Sequence, residues 1–577
     1  MNNEMLPMRQ IPEIKDTLER IYEQSQAVLS DDEVELNKKY ISSYEILLRD
    51  AQGIIKNEFS EWGDISMTRY YLKNRKSLSF YSNYSFLCKD DIYKQNTSLR
   101  AASLIYASVN FFDREKEGKL EPDFIKGIPV GMEQYKRLFC ASRIPGISID
   151  SIKHANSNNV VVACNGTFYS IDFKTNKNRP DLNAIFNTLN AIENDAYMNP
   201  DKNSIAVLTC GERTKWAINR ELIIKSKINL ESISEIERSV LFVSIEKEEN
   251  PATSSEKFKH VHHGKPKNRW FDKTHMLIVT NSGSSGACFD HTCVDGFPAS
   301  RYLNEICQVA STVKLDNIDS KDILSFKRLE WEFNDEIENA IEEGTIYYDV
   351  EFYNRDIRAV QLKIPSHSLL KSNGITLDAF IQIGFQLGLR KYANYFLTAN
   401  EAVLLQHYKN DRYDTAFTVT KESKLFIDKF IEKTNRDELK KLFSRASEAH
   451  KNRIKETKEG KGPIFHLTSL VDAQPDIRIK LGYNGLEIDG KYICVDSSLK
   501  KVMDVDATTS NLSPRPFLNG FSFTDSTPNV IGLAYVPVIE DGIVNIALKT
   551  DYNWLGHAKH IELEFHKVFD ALGELLK

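Results

Sequence analysis

The chain has 577 residues, enough for several hydrophobic cores, and its formal net charge of −6 arises from acidic and basic residues mixed along its length. That balance leaves no basic footprint, which excludes nucleic acid and other polyanions as partners. Eight cysteines (Cys88, Cys140, Cys164, Cys210, Cys288, Cys293, Cys307 and Cys494) are scattered without C-x-x-C pairs, the pattern of reduced thiols in an intracellular protein rather than of a disulfide framework or zinc ribbon.

The start, MNNEMLPMRQ, lacks a basic n-region and an apolar h-region, so no targeting segment is expected and the expected location is cytoplasmic. Leu6–Val28, Tyr40–Glu58 and Leu99–Phe112 carry apolar residues at helical spacing. Asn159–Ala163 and Thr167–Phe173 flank Cys164-Asn165-Gly166, which predicts a hairpin. A helix is predicted around Leu182–Asn194, with strands at Ile205–Leu208 and Val240–Ile245. His275–Thr280, a turn cluster rich in glycine and serine, and Ala287–Asp290 read as a second hairpin. Beyond Trp331 the pattern predicts a helix at Asn334–Glu343, a strand at Tyr347–Phe352, and helices at Leu377–Asn394 and Glu422–Ile431. The chain closes with strands Asn529–Pro537 and Ile543–Leu548 around Asp541-Gly542, then the helix His557–Leu576. No stretch approaches the roughly 18 apolar residues that span a bilayer. The length prior of about 100–200 residues per domain would allow three to five domains, but the elements divide into two α/β halves, 1–333 and 334–577. The first helices are expected to pack on the second half.

The most informative run is CFDHTCVDGFPASRYLNEI, Cys288–Ile306. Its H-x-x-x-D-G (His291, Asp295, Gly296) leaves a strand and enters an amphipathic helix, an arrangement that presents an imidazole as a general base. A neutral imidazole with a pKa near ~6.5 suits proton transfer at physiological pH.

That run, Asn268-Arg-Trp-Phe-Asp-Lys273 before it and Thr376-Leu-Asp378-Ala-Phe380 after it resemble the choline/carnitine acyltransferase family. Further matching stretches follow the family's order: Leu6-Pro7, Tyr135 to Gly146, Ala449-His450, Glu459 to Gly462, Thr508-Thr509-Ser510 and Gly532 to Tyr535. The resemblance covers nearly the whole chain. It implies an α/β fold of two halves, each similar to chloramphenicol acetyltransferase, with an active-site tunnel between them. It also implies acyl transfer between coenzyme A and a small hydroxylated acceptor, with coenzyme A as a substrate and no tightly bound cofactor.

Residue by residue, the resemblance makes His291 the base, Asp295 a framework carboxylate paired with Arg412, and Ser510 with Thr508 the donors to the oxyanion. One preorganised donor of that kind is worth about 2.7–4 kcal/mol of barrier. Lys371 matches one member of the family's lysine pair for the 3′-phosphate, His367 stands at the other, and Asp378 matches the aspartate of the following helix. The acceptor site departs most from the family, because Asn400, Tyr413 and Phe465 stand where carnitine enzymes hold the substrate carboxylate with tyrosine, threonine and arginine. Without the arginine a buried carboxylate would cost several kcal/mol, so an acceptor without one is expected, whether cationic or simply apolar. Gly520, ten residues after Ser510, stands where acetyl-specific members have a tunnel-plugging methionine, which implies an open acyl pocket.

His260-Val-His262-His263 has the composition of a metal tract, yet no cysteine or carboxylate cluster completes a tetrahedral set, and no metal is expected. Cys288 and Cys293 flank His291 and read as packing residues. The reading is thus a direct-transfer acyltransferase acting as a monomer on small molecules. The alternative, a silent acyl-CoA-binding or sensor protein of the same fold, is favoured by the lost acceptor anchors and opposed by His291 and the Thr508–Ser510 hydroxyls.

Overall fold

The computed structural model describes residues 5–58, 62–91, 93–173, 181–316, 320–473, 486–488, 491–493 and 497–577. Its core is two mixed sheets flanked by helices, the α/β class expected. The larger sheet has eight strands in the order Phe326–Arg328, Thr167–Asp172, Asn159–Cys164, Phe242–Glu246, His275–Thr280, Ser285–Phe289, Tyr84–Cys88 and Leu518–Phe523. Its middle strands are parallel and buried along their whole length, as a sheet covered on both faces requires. The 159–172 hairpin turns at Asn165 (φ 49°) and Gly166 (φ 83°), the two positive φ values of a tight turn matched to the strand twist.

The smaller sheet runs Arg355–Lys363, Ile543–Asp551, Ile531–Val538, Ala507–Asn511, Ala399–Leu404 and Tyr413–Phe417. Ala507–Asn511 lies parallel to both neighbours, placing Thr508 beside Asn400 on one side and Gly532 on the other. One face is covered by helices Leu377–Ala393 and Ala558–Leu576, which share a core with the sheet. They approach closely at Gly384 and Gly388, where a Cβ would stand 2.7 Å from Phe569 and 2.4 Å from Phe565.

The join near 333/334 separates the two sheets with one exception. Leu518–Phe523, from the second half, edges the first sheet antiparallel to Tyr84–Cys88, with Tyr84 opposite Phe523 and Phe86 opposite Phe521. In the other direction, helices Ile14–Val28, Asp31–Glu58 and Trp62–Lys73 share a core with Phe465, Leu470 and Leu499. Arg9 anchors the segment before them, pairing with Asp411 at 2.7 Å and lying over the Trp62 ring.

Two strand expectations are corrected. Ile205–Leu208 belongs to a buried 3₁₀ segment, Ile205–Cys210, because a short apolar run carries no periodicity that separates helix from strand. Tyr347–Phe352 continues the helix Asp335–Asn354. Tyr348 and Phe352, one turn apart, stack at 5.5 Å, and the strand begins at Arg355. The first helix starts at Ile14 rather than Leu6, since Pro7 and Pro12 interrupt the run before it. Among the described residues no helix is long and apolar enough to cross a membrane.

Candidate active site

His291 follows the strand Ser285–Phe289 and precedes the helix Gly296–Thr312. Asp290 shapes the turn between them, accepting from Thr292 N at 3.1 Å and Thr292 Oγ1 at 2.9 Å. Arg143 braces it by donating to the same hydroxyl at 2.8 Å. Asp295 occupies the N-cap position of the helix without capping it. Its carboxylate instead accepts from Gln134 Nε2 at 2.8 Å and from Arg412 Nη2 at 2.6 Å.

Arg412 comes from the other half of the chain and grips the whole turn. It also donates to the carbonyls of Thr292 at 2.9 Å and His291 at 2.5 Å. Burial alone would raise the Asp295 carboxyl, but Arg412 outweighs it and holds it below the usual carboxylate range. The guanidinium is correspondingly pushed up by Asp295 against its own burial. Asp295 therefore stays ionised, and its charge is committed to Arg412.

The His291 ring lies with Nδ1 3.5 Å from Asp295 Oδ1 and keeps 20 % of its side chain exposed. Tyr71 stacks on it at 4.9 Å, and Tyr84 meets it edge-on at 4.8 Å. Burial lowers the imidazole pKa below its ordinary 6.5, outweighing the opposite pull of Asp295, so the ring is neutral near pH 7. The sequence offered no sign of Tyr71, Tyr84 or Gln134, which stand far from the motif along the chain.

The exposed edge of the ring faces a cavity of ≈ 1040 Å³ between the sheets. Because side chains alternate along a strand, one face of the smaller sheet forms its far wall, and Asn400, Tyr413, Thr508 and Ser510 all line it, as does Phe465 from the helix Pro463–Ala473. Tyr413 and Tyr71 share a hydrogen bond between hydroxyls at 2.5 Å. Asn400 is 8 % exposed, and its Oδ1 is buried without a hydrogen-bond partner.

The expectation for Thr508 needs correction. Its hydroxyl donates to Asp525 Oδ2 at 2.7 Å, and a hydroxyl has one hydrogen to give. Thr508 thereby orients Asp525, while Ser510 lines the same cavity.

Lys371 and His367 sit exposed on the short helix His367–Ser372, outside the cavity lining. Asp378 also lies outside it, partly exposed at the edge of a polar network that reaches the strand presenting Ser510. Its carboxylate meets His450 Nε2 at 3.0 Å and lies 2.8 Å from the Tyr535 hydroxyl, which stands 2.6 Å from Glu401 and has one hydrogen for the two carboxyl groups. Asn511 donates to Glu401 at 2.7 Å, and Asn511 follows Ser510. Burial, with Asp378 nearby, pushes the Glu401 carboxyl up to about 7.

Among the described residues, Asp378, Glu401 and His450 bring metal-ligating atoms within 4.8 Å of one another; a hydrogen bond joins His450 to Asp378, and Glu401 stands 3.7 Å from His450. The His260–His263 tract does not converge on a point of its own. His260 meets Glu246 at 2.5 Å, while His262 is lowered by burial to about 3 and held neutral. Gly520 (φ 143°) lines a second cavity of ≈ 320 Å³, and Leu512 and Phe521 line both. Cys288 and Cys293 are fully buried, and burial raises both thiols to about 12.

A model of the choline/carnitine O-acyltransferase family matches residues 10–558. Carnitine O-acetyltransferase of Rattus norvegicus is 25 % identical over 567 residues, covering 93 % of this chain and 88 % of the relative. The mitochondrial carnitine O-acetyltransferase of Saccharomyces cerevisiae is 24 % identical over 607 residues, covering 98 % and 88 %. The muscle isoform of carnitine O-palmitoyltransferase 1 from Sus scrofa is 26 % identical over 503 residues, covering 81 % of this chain and 63 % of the relative. Among solved structures, the wax ester synthase/diacylglycerol acyltransferase from Marinobacter aquaeolei VT8 gives a looser likeness, with a TM-score of 0.35 at 11 % identity over 89 % of this chain and 98 % of that one. The chain belongs to the choline/carnitine O-acyltransferase family and is an acyltransferase.

Proposed function

We propose that the protein transfers an acyl group between coenzyme A and a small alcohol that carries no carboxylate, with His291 as general base. The observation that carries this reading is the neutral His291 ring facing, across one cavity, the sheet that presents Ser510. Nδ1 is turned toward Asp295 and Arg412, so we assign proton transfer to Nε2. The imidazole removes the acceptor's hydroxyl proton, and the alkoxide oxygen attacks the thioester carbonyl. Ser510 donates to the oxyanion, which collapses by breaking the C–S bond, and the imidazolium returns the proton to the leaving thiolate. The committed charge of Asp295 fixes the turn rather than relaying the proton.

Coenzyme A is assigned to the side of Asp378, Lys371 and His367, from which the network through Tyr535 and Asn511 leads to Ser510. The relatives' names point to carnitine as acceptor. The wall of this cavity argues against it, since no lysine or arginine lines it among the described residues and Phe465 offers nothing to a carboxylate. An acyl pocket toward Gly520 is supported by the second cavity behind Leu512 and Phe521. Action as a cytoplasmic monomer belongs to the same reading, with cell fractionation as its check because the yeast relative is mitochondrial. Release of free thiol from acetyl- and octanoyl-CoA over an acceptor panel, with His291→Ala as control, tests the reaction. Acceptor-dependent release that persists in a folded His291→Ala protein would overturn it.

A further inference from the structure

The cavity that His291 faces is acidic and aromatic. Asp295, Asp504, Asp506 and Asp525 line it, and no lysine or arginine does among the described residues. Asp295 has its charge committed to Arg412, whereas Asp506 is held by neutral donors, the Thr398 amide and hydroxyl at 2.8 and 3.0 Å. Asp525 is held by hydroxyl and amide groups alone. Its Oδ2 accepts from Thr508, and its Oδ1 accepts from Thr527 N at 3.1 Å and Thr527 Oγ1 at 2.9 Å. The buried ammonium whose titration feels Asp525, Lys549, is already held by Asp551 at 2.8 Å.

A second, independent feature sits one strand away. Asn400 lies beside Thr508 in the parallel register, so the two side chains share the cavity face. The Asn400 Oδ1 is buried and has no partner, and a buried acceptor in that state is costly unless a ligand donor reaches it. Asp525, Thr508 and Asn400 thus form a polar edge with acceptors to spare, facing the rings of Tyr70, Tyr413 and Phe523.

We infer that the acceptor is an amino alcohol protonated on nitrogen, with Asp525 as its counter-ion and Asn400 Oδ1 taking an N–H. Aromatic rings alone would serve a quaternary ammonium, but such a group has no N–H to satisfy either oxygen. Asp525 is then a specificity residue of the proposed reaction, and the inference rests on that reaction for the placement of the hydroxyl at His291.

Three near-isosteric alcohols separate charge from N–H donation: 2-(dimethylamino)ethanol, protonated near pH 7, choline, and uncharged 3,3-dimethylbutan-1-ol. With acyl-CoA and wild-type protein, kcat/KM should fall in that order, each step being about tenfold or more, as a charge-assisted hydrogen bond provides. Asp525→Asn should lower kcat/KM for the two cations, mainly through KM, and bring them toward the uncharged alcohol. Calorimetry of 2-(dimethylamino)ethanol binding, wild type against Asp525→Asn, reads the same contact without turnover. Choline equal to or better than the tertiary amine, or the uncharged alcohol best, would overturn the inference using wild-type protein alone. So would an equal loss for all three in Asp525→Asn. If no alcohol supports thiol release while Asp525-dependent binding persists, the reaction fails and the ammonium site stands.

Discussion

The two ends of the cavity between the sheets are built on different principles. At the His291 end the groups around the imidazole are tied down: Arg412 bonds Asp295 and two backbone carbonyls, Gln134 closes the carboxylate, and two tyrosine rings fix the imidazole. At the other end the wall holds Phe465, a pair of tyrosine hydroxyls joined to each other, an unpartnered Asn400 oxygen and Asp525. The first end offers the cavity the imidazole edge, whereas the second offers a carboxylate held by neutral donors and an amide oxygen with no donor. A committed framework carries chemistry common to a family, and an uncommitted wall is where one member differs from another.

The largest expected effect belongs to the committed end. His291→Ala should lower turnover by about 10²–10⁴-fold, the usual worth of a general base, with coenzyme A binding nearly intact in calorimetry. Since the proposed base acts as the neutral ring and burial lowers its pKa, kcat/KM should be lost as pH falls, with the limb centred below 6.5. A limb above that value would mean that Asp295, not burial, governs the ring.

Arg412→Met should come next, leaving the Asp295 charge buried and unpaired at a cost of about 3–5 kcal/mol, read by chemical denaturation. Because Asp295 is held below its unfolded pKa, its contribution is present above about pH 3.9 and is lost as pH falls through the folded value. Asp295→Asn in the Arg412→Met background should recover part of the loss at neutral pH. A loss of under about 1 kcal/mol, typical of exposed pairs, would erase the contrast between the two ends.

At the uncommitted end, carnitine should react far more slowly than the best carboxylate-free alcohol, and Phe465→Arg should narrow that ratio by supplying the missing charge. Wild-type kcat/KM for carnitine in the ~10⁴–10⁸ M⁻¹s⁻¹ range of ordinary enzymes would mean that the acceptor pocket lies elsewhere. The smallest effect is expected outside the cavity. Lys371→Ala should weaken coenzyme A by only a few-fold, since an exposed ion pair is worth roughly 0–1 kcal/mol, and dephospho-coenzyme A hardly at all. Equal losses for both ligands would move the 3′-phosphate away from this helix.

The same contrast explains what was legible in the chain. His291, Asp295 and Gly296 form one short turn, so their spacing already encoded a strand end, an imidazole and a helix start. The 159–172 hairpin was equally readable, because Asn165-Gly166 supplies both positive φ values locally. Asp525 was invisible: a D-S-T-P turn reads as punctuation, and its contact with Thr508 appears only when a neighbouring strand fixes the face. Tyr71 and Gln134 reach the site across the fold from 220 and 157 residues away along the chain. Ile205–Leu208 and Tyr347–Phe352 misled for a related reason, since β-branched and aromatic residues suited a strand while tertiary packing chose helical turns.

The Leu518–Phe523 strand bears on when the protein first becomes an enzyme. Asn519 reaches Cys88 O across 431 residues of sequence, so the ribosome delivers that strand long after the edge it covers. Until then Tyr84–Cys88 is an open sheet edge with unpaired backbone groups, the kind of surface that recruits foreign strands. A nascent chain therefore holds His291 long before it holds a wall for His291 to face, and catalytic competence and closure of the vulnerable edge come in one late event.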